Sequence, residues 1–212
     1  MNKPLPIVLI GGGGHASVLA DILIGQGREI LAIICPDDIS SKVVFAGIPH
    51  FTEDVDVERF NKTEVFLVNG IGSLPGSNLR FKVHMSFKRL GYTFMTVVSS
   101  NAIVSEFAVL AEGVQVMPGC IVNTNVTVGE ATILNSGSII EHDCKIGKHN
   151  HVAPGVVLSG SVITEDFVHI GTGAQVIQGI QIREHALVGA GATVTKNLES
   201  NKILYVAKPF LR

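Results

Sequence analysis

His142 and Asp143 set an imidazole beside a carboxylate at the end of the stretch Asn135-Ser-Gly-Ser-Ile-Ile-Glu-His-Asp143. Gly160 follows eighteen residues after His142. A histidine steadied by an acid, with a bare backbone N–H nearby to receive a developing oxyanion, is the minimum equipment for acyl transfer to a weakly basic nucleophile. The competing reading is an exposed histidine without a chemical role. His151 and His169 are also eighteen apart, while His149 and His185 read as ordinary surface positions. Neutral histidines can chelate, yet no third ligand stands at a matching interval, so no metal is expected. Near the start, Gly11-Gly12-Gly13-Gly14-His15-Ala16 fits the loose G-x-G-x-x-A pattern, and Asp37 and Asp38 lie about twenty residues on. Glycines let a phosphate reach main-chain N–H groups at a helix start, and a carboxylate after the next strand can accept from a ribose or base. The competing reading is a structural turn.

The interval of eighteen comes from a repeat. From Val104, every sixth residue to Val194 is aliphatic except Thr164, and two residues before each stands a row of mostly small or β-branched side chains from Ala102 to Ala192. Neither a 3.6-residue helix nor an alternating strand keeps one aliphatic row in phase at a six-residue step for about ninety residues. Three sides of six make an 18-residue coil, so the hexads predict about five turns of a parallel β-helix with the aliphatic row inward. On that coil His142 faces Gly160 of the next turn, His151 stacks on His169, and His142 and His151 face different directions.

The first hundred residues have another rhythm. Apolar runs Ile7-Val8-Leu9-Ile10, Ile30 to Ile34 and Val65-Phe66-Leu67-Val68 read as buried parallel strands, each ending in polar or glycine-rich loops, the third in Asn69-Gly70-Ile71-Gly72. Helices are expected from the glycine loop through Leu23 and over Asn78 to Leu90, the second with Leu79, Val83, Phe87 and Leu90 on its apolar face; a last strand is expected over Tyr92 to Val98. The reading is therefore a small Rossmann-like βαβ α/β domain over 1–100, joined near Ser99-Ser100-Asn101 to a β-helix over 101–212. The space available holds one mononucleotide half, which disfavours a hydride-carrying dinucleotide and favours a nucleotide attached to something else.

Composition narrows the partners. The 212 residues are 46% hydrophobic and 16% charged, with 16 Lys+Arg against 18 Asp+Glu, which leaves no electrostatic footprint for nucleic acid or an anionic membrane. The apolar run at the start breaks at Gly11 and no stretch approaches the roughly 20 residues that span a bilayer, so a cytoplasmic protein is expected. Cys35, Cys120 and Cys144 have neither disulfide nor zinc spacing and read as small buried hydrophobes.

The glycine-rich βαβ segment, the N-S-G-S-I-I-E-H-D stretch, the E-H-D-C segment followed by I-G and a second histidine, and His151 in H-V-A-P-G together resemble the left-handed β-helix acyltransferases, specifically the nucleotide-sugar N-acetyltransferases and sialic acid O-acetyltransferases. The resemblance covers nearly the whole chain. It implies a left-handed coil, a homotrimer, and acetyl-CoA as co-substrate lying between two β-helices, with no metal. It further implies His142 as general base supported by Asp143, Asn135 against the acceptor, His151 near the acetyl group, and the Gly160 N–H on the thioester oxygen. Gly13, Gly14 and His15 match the family's phosphate loop, Asp37 and Asp38 its nucleoside contacts, and Gly72 its third loop. Gly189, Ala190, Gly191 and Lys196 match the distal CoA groove. The family's tail G-x-P-A-K appears as Ala207-Lys208-Pro209-Phe210-Leu211, so Leu replaces the lysine that meets a CoA phosphate. The expected acceptor is the 4-amino group of a nucleotide-linked, first of all UDP-linked, 4-amino-4,6-dideoxy sugar for a surface glycan. The alternatives are a GDP- or dTDP-linked amino sugar, the sialic acid hydroxyl, or a non-catalytic trimeric scaffold.

Overall fold

The computed structural model of the chain describes residues 4–206. The tail Ala207 to Arg212, with Leu211 in the lysine position, lies outside the described residues. The chain divides after Ser100 into two compact units.

In the first unit, β1 (Ile7–Ile10), β2 (Ile30–Ile34), β3 (His50–Phe51) and β4 (Phe66–Asn69) form a parallel sheet in the order β3-β2-β1-β4. β1 is buried along its whole length, as a strand paired on both edges and covered on both faces must be. Helix α1 (Gly14–Gly25) buries Ala16, Leu19, Ala20, Ile22 and Leu23 on one side. β3 is two residues long, too short to leave a periodic signal. Helix α2 (Leu79–Arg89) forms where expected with a different buried face. Arg80, His84 and Phe87 are inside, while Leu79 and Leu90 are exposed. The cause is specific: Arg80 Nη1 donates to the carbonyls of Asn69 at 2.9 Å and Ile71 at 2.6 Å, pinning the loop after β4, and His84 stacks on Phe94 at 4.2 Å. Burial pulls the Arg80 guanidinium down to about 9. The strand expected over Tyr92 to Val98 is reduced to Val97–Val98, preceded by a single bridge from Phe94 to Leu67.

The second unit is the parallel β-helix. Sixteen two-residue strands begin every six residues from Ile103–Val104 to Thr193–Val194. Ile103–Val104, Ile121–Val122, Ile139–Ile140, Val157–Leu158, Gln175–Val176 and Thr193–Val194 stack as a first sheet. A second sheet runs from Val109–Leu110 to Gln181–Ile182, and a third includes Gln115–Val116, Ile133–Leu134, His151–Val152, His169–Ile170 and Leu187–Val188. Each strand pairs with the one eighteen residues on, as Lys145 with Ile163 and His151 with His169. The aliphatic row is buried from Val116 to Val194, and the small row from Val114 to Ala192. Cys120 and Cys144 belong to this interior, and burial pushes both thiols up to about 11.

Thr164, the exception in the aliphatic row, belongs to an interior polar ladder. Asn150 Nδ2 donates to Thr164 Oγ1 at 2.6 Å, Asn150 Oδ1 accepts from the Val168 N–H at 2.7 Å, and Thr132 Oγ1 accepts from the Asn150 N–H at 3.0 Å. Each member finds a partner, which is what makes polar groups tolerable inside a rod.

Candidate active site

The side chains of His142 and Asp143 stand outside the packed rows. His142 and Asp143 occupy the turn from the first sheet to the second, and are 58% and 50% exposed. His142 Nδ1 and Asp143 Oδ2 are 2.8 Å apart. Asp143 Oδ1 accepts from Asn125 Nδ2 at 3.2 Å. The His142 ring first, and the Asn125 amide second, hold the Asp143 carboxyl below the ordinary carboxylate range. Gly160 lies directly against the imidazole: a Cβ there would stand 2.6 Å from Cε1 and 2.7 Å from Nε2 of His142. No other residue leaves room for the ring in this position. The Gly160 N–H makes no backbone hydrogen bond among the described residues. With Nδ1–H directed at the carboxylate, Nε2 carries the lone pair, as a proton acceptor requires.

Asn135 and His151 form a second group. Asn135 Oδ1 accepts from the Ser136 N–H at 2.8 Å, which turns Nδ2 toward His151 Nε2 at 3.0 Å. Nε2 therefore accepts, and this network assigns the His151 proton to Nδ1. The His169 ring meets His151 edge to face at 4.8 Å, and burial pushes the His169 imidazole down. His149 and His185, read as plain surface positions, instead sandwich Phe167 at 5.2 and 4.8 Å.

Along the rod these residues sort onto two edges. Gly160 and Lys196 continue the His142 edge one and three coils on, and a coil rises about 4.8 Å, so Lys196 stands roughly 14 Å from His142. Asn135 and Gly189-Ala190-Gly191 share the edge where the third sheet turns into the first, with His151 on the adjoining third sheet. The two edges bound the same face, the first sheet. Outward positions of that sheet are Ile103, Ile121, Ile139 and Val157, followed by the polar Gln175 and Thr193 at its far end, with Ile103 67% exposed. His142 and His151 of one chain do not meet.

In the first unit the loops after β1 and β4 flank the point where strand order reverses, the usual ligand crevice of an open parallel sheet. Gly13 and Gly14 are exposed, with nothing within 4 Å of an added Cβ, and α1 starts at Gly14 without a side-chain cap. Its first N–H groups can receive an anion. Gly72 adjoins His15, since a Cβ on Gly72 would lie 3.7 Å from the His15 Cβ. Tight packing falls on other glycines: Gly12 against Ile39 and Cys35, and Gly70 against Ala16 and the Ile10 carbonyl. Asp37 and Asp38 are both exposed but differ. Asp38 accepts from the Ser40 N–H at 2.9 Å and hydroxyl at 3.1 Å, bonds that hold its carboxyl below the ordinary range. Sequence reasoning passed over Asn125, which the eighteen-residue interval from Asp143 could have found. It also passed over His50, whose Nε2 is 3.0 Å from the Cys35 carbonyl and for which no local pattern existed.

Among the described residues no helix is long and apolar enough to cross a membrane. The family described as the PglD N-terminal domain matches residues 6–84, and the bacterial transferase hexapeptide family (six repeats) matches residues 125–160. PerB from Caulobacter crescentus, solved in complex with CoA and GDP-perosamine, is 31% identical over 93% of this chain and 92% of its own, with a TM-score of 0.83. A histidine-to-asparagine mutant of perosamine N-acetyltransferase from the same organism, with the same ligands, gives 30% identity over 93% and 92%, and a TM-score of 0.82. The acetyltransferase domain of PglB from Neisseria gonorrhoeae, in complex with acetyl coenzyme A, shares the fold at 23% identity over 95% and 96%, with a TM-score of 0.83. Comparison with curated proteins gives no match.

Proposed function

Since the chain belongs to the hexapeptide-repeat nucleotide-sugar N-acetyltransferases with a PglD-type N-terminal domain, we propose that it transfers the acetyl group of acetyl-CoA to the 4-amino group of a nucleotide-linked 4-amino-4,6-dideoxy sugar on the route to a surface glycan. The observation that carries this reading is the His142 imidazole, held by Asp143 at 2.8 Å and lying on a bare Gly160. His142 Nε2 takes a proton from the amine as its nitrogen attacks the thioester carbonyl. The Gly160 N–H receives the oxyanion; the C–N bond forms, the C–S bond breaks, and the proton held on His142 Nε2 passes to the departing sulfur, so that CoA leaves as its thiol and the imidazole is restored. Asn135 and His151 contact the acceptor and acetyl group, and Gly189, Ala190, Gly191 and Lys196 line the remainder of the CoA groove.

The first unit takes the nucleotide, with its diphosphate at Gly13, Gly14, His15 and Gly72, and its nucleoside at Asp37 and Asp38. The resemblance puts UDP first, with GDP and dTDP as alternatives; the 31%-identical relative carries GDP-perosamine, so amino sugars linked to all three nucleotides are to be tested. A thiol-release assay with acetyl-CoA and amino sugars linked to each nucleotide tests the reading. Turnover on one of them is expected, whereas turnover on sialic acid with none on any nucleotide-linked amine moves the chain to the O-acetyl branch. Asp38 is already engaged by Ser40, so Asp37 is the better placed to meet the nucleoside. Asp37→Ala should raise the acceptor KM roughly tenfold, the worth of one hydrogen bond to a charged group, and leave the acetyl-CoA KM within about twofold. Equal effects on both would undo this division between the units.

The working form is a homotrimer with first sheets turned inward. Support comes from the aliphatic row Ile103, Ile121, Ile139 and Val157 on that face, and from the site residues on its two edges. A closed three-fold ring brings the His142 edge of one chain to the Asn135–His151 edge of the next and uses every copy once. Mixing inactive His142→Ala chains with inactive His151→Ala chains should restore part of the activity, because some interfaces receive both histidines. Mixed trimers confirmed by mass but no more active than the parents would mean that both histidines act from one chain, or that His151 is structural.

A further inference from the structure

The turn carrying His142 rests on a turn of matching pattern. Segments 123–125, 141–143 and 159–161 stack at eighteen-residue steps, placing Asn-Thr-Asn under Glu-His-Asp and Ser-Gly-Ser above it. Asn123 Nδ2 donates to Glu141 Oε2 at 2.8 Å, and Asn125 Nδ2 donates to Asp143 Oδ1 at 3.2 Å. Asp143 thus divides its two oxygens, one on the asparagine below and the other on His142 Nδ1. The second carboxylate next to the histidine, Glu141, is drawn onto Asn123.

We propose that Asn125 is a positioning residue for the His142–Asp143 pair, its amide fixing the Asp143 carboxylate so that Oδ2 stays on His142 Nδ1. The proposal rests on the reading of His142 as the base. A half-exposed aspartate left to itself exchanges its partners with water, and the imidazole it orients then samples other rotamers. Asn125 has a left-handed backbone, φ 59°, and Asp143 the same, φ 61°. Glycine or aspartate would suit the backbone at 125 as well as asparagine. Among these, only asparagine also offers a donor to the carboxylate above. The titratable side chains on the three stacked turns are Glu141, His142 and Asp143; further along the same edge stand Glu106, two coils below His142, and Lys196, three above.

The test uses Asn125→Gly and Asn125→Asp, both compatible with the left-handed backbone, in the full chain. Carbon NMR of selectively labelled aspartate follows the Asp143 carboxyl without substrate. Its titration should move upward in Asn125→Gly, where the donor is lost, and further upward in Asn125→Asp, where a like charge faces it. Asn123→Ala, on the same turn, should leave it unmoved. In turnover, Asn125→Gly should lose about tenfold in kcat, in keeping with the sensitivity of reaction rates to small misplacement, with both KM values within about twofold. An Asp143 titration unmoved in Asn125→Gly, or the same kcat loss in Asn123→Ala, overturns the proposal. Wild-type protein that acetylates no nucleotide-linked amine, while the Asp143 titration shifts as expected, removes the reading of His142 as base and keeps Asn125 as the group that holds Asp143.

Discussion

His142→Ala should lower turnover by roughly 10²-fold or more, the usual cost of deleting a general base, while thermal unfolding stays close to that of the parent. The side chain stands on a turn outside both inward rows, so its removal opens no cavity and strands no buried partner. Acetyl-CoA affinity should change little, because the imidazole acts on the proton that moves at attack rather than on the resting thioester. A variant with parental kcat at neutral pH would show that another group takes the proton. Asp143→Asn should cost less, since it perturbs orientation and basicity without removing the acceptor nitrogen; equal losses for the two would indicate a pair that works only as a unit.

Gly160→Ala should be nearly as damaging, by about 10²-fold, although it adds only a methyl group. The new carbon would stand 2.6 Å from the His142 ring, well inside contact distance, so the ring must move. A displacement near 1 Å at the reacting group is enough for a loss of that order. Gly160 does not have the left-handed backbone seen at Asp143 and Ser161, so alanine is acceptable there conformationally and folding should survive. Both kcat and the oxyanion contact should suffer, whereas Gly155→Ala, at an open turn of φ 68° on the same coil, should trade stability for little catalytic effect. Full activity in Gly160→Ala would mean that the imidazole does not work from this position.

The rod was readable because its period is kept without a break from Val104 to Val194, and once a coil is eighteen residues long, subtraction alone brings His142 to Gly160 and His151 to His169. Thr164 shows the limit of that arithmetic. Its neighbour Asn150 is fourteen residues away, inside the coil rather than along it, and no periodic rule pairs them. In the first unit the same limit is met sooner. The glycine pattern marked Gly13, yet the tight contacts fall on Gly12 and Gly70, whose partners Cys35, Ile39 and Ala16 come from other elements. Helix α2 was visible as a helix, but its buried face was not, because Arg80 is turned inward by the carbonyls of Asn69 and Ile71, acceptors with no side-chain signature. The two edges holding the site residues could be counted from the sequence; the aliphatic face between them gains meaning only when the strands are seen to stack.

The most direct test of the account is the chemical form of the product. Incubated with acetyl-CoA carrying a labelled acetyl group and the nucleotide-linked 4-amino sugar that it turns over fastest, the protein should yield a nucleotide sugar heavier by one acetyl group, with the label in an amide that survives mild alkali and one CoA thiol released per acetyl transferred. The same incubation with the His142→Ala chain should give roughly a hundredth of that product or less. Label recovered only as an alkali-labile ester on a sugar hydroxyl, or an undiminished amide yield from the His142→Ala chain, would contradict the account.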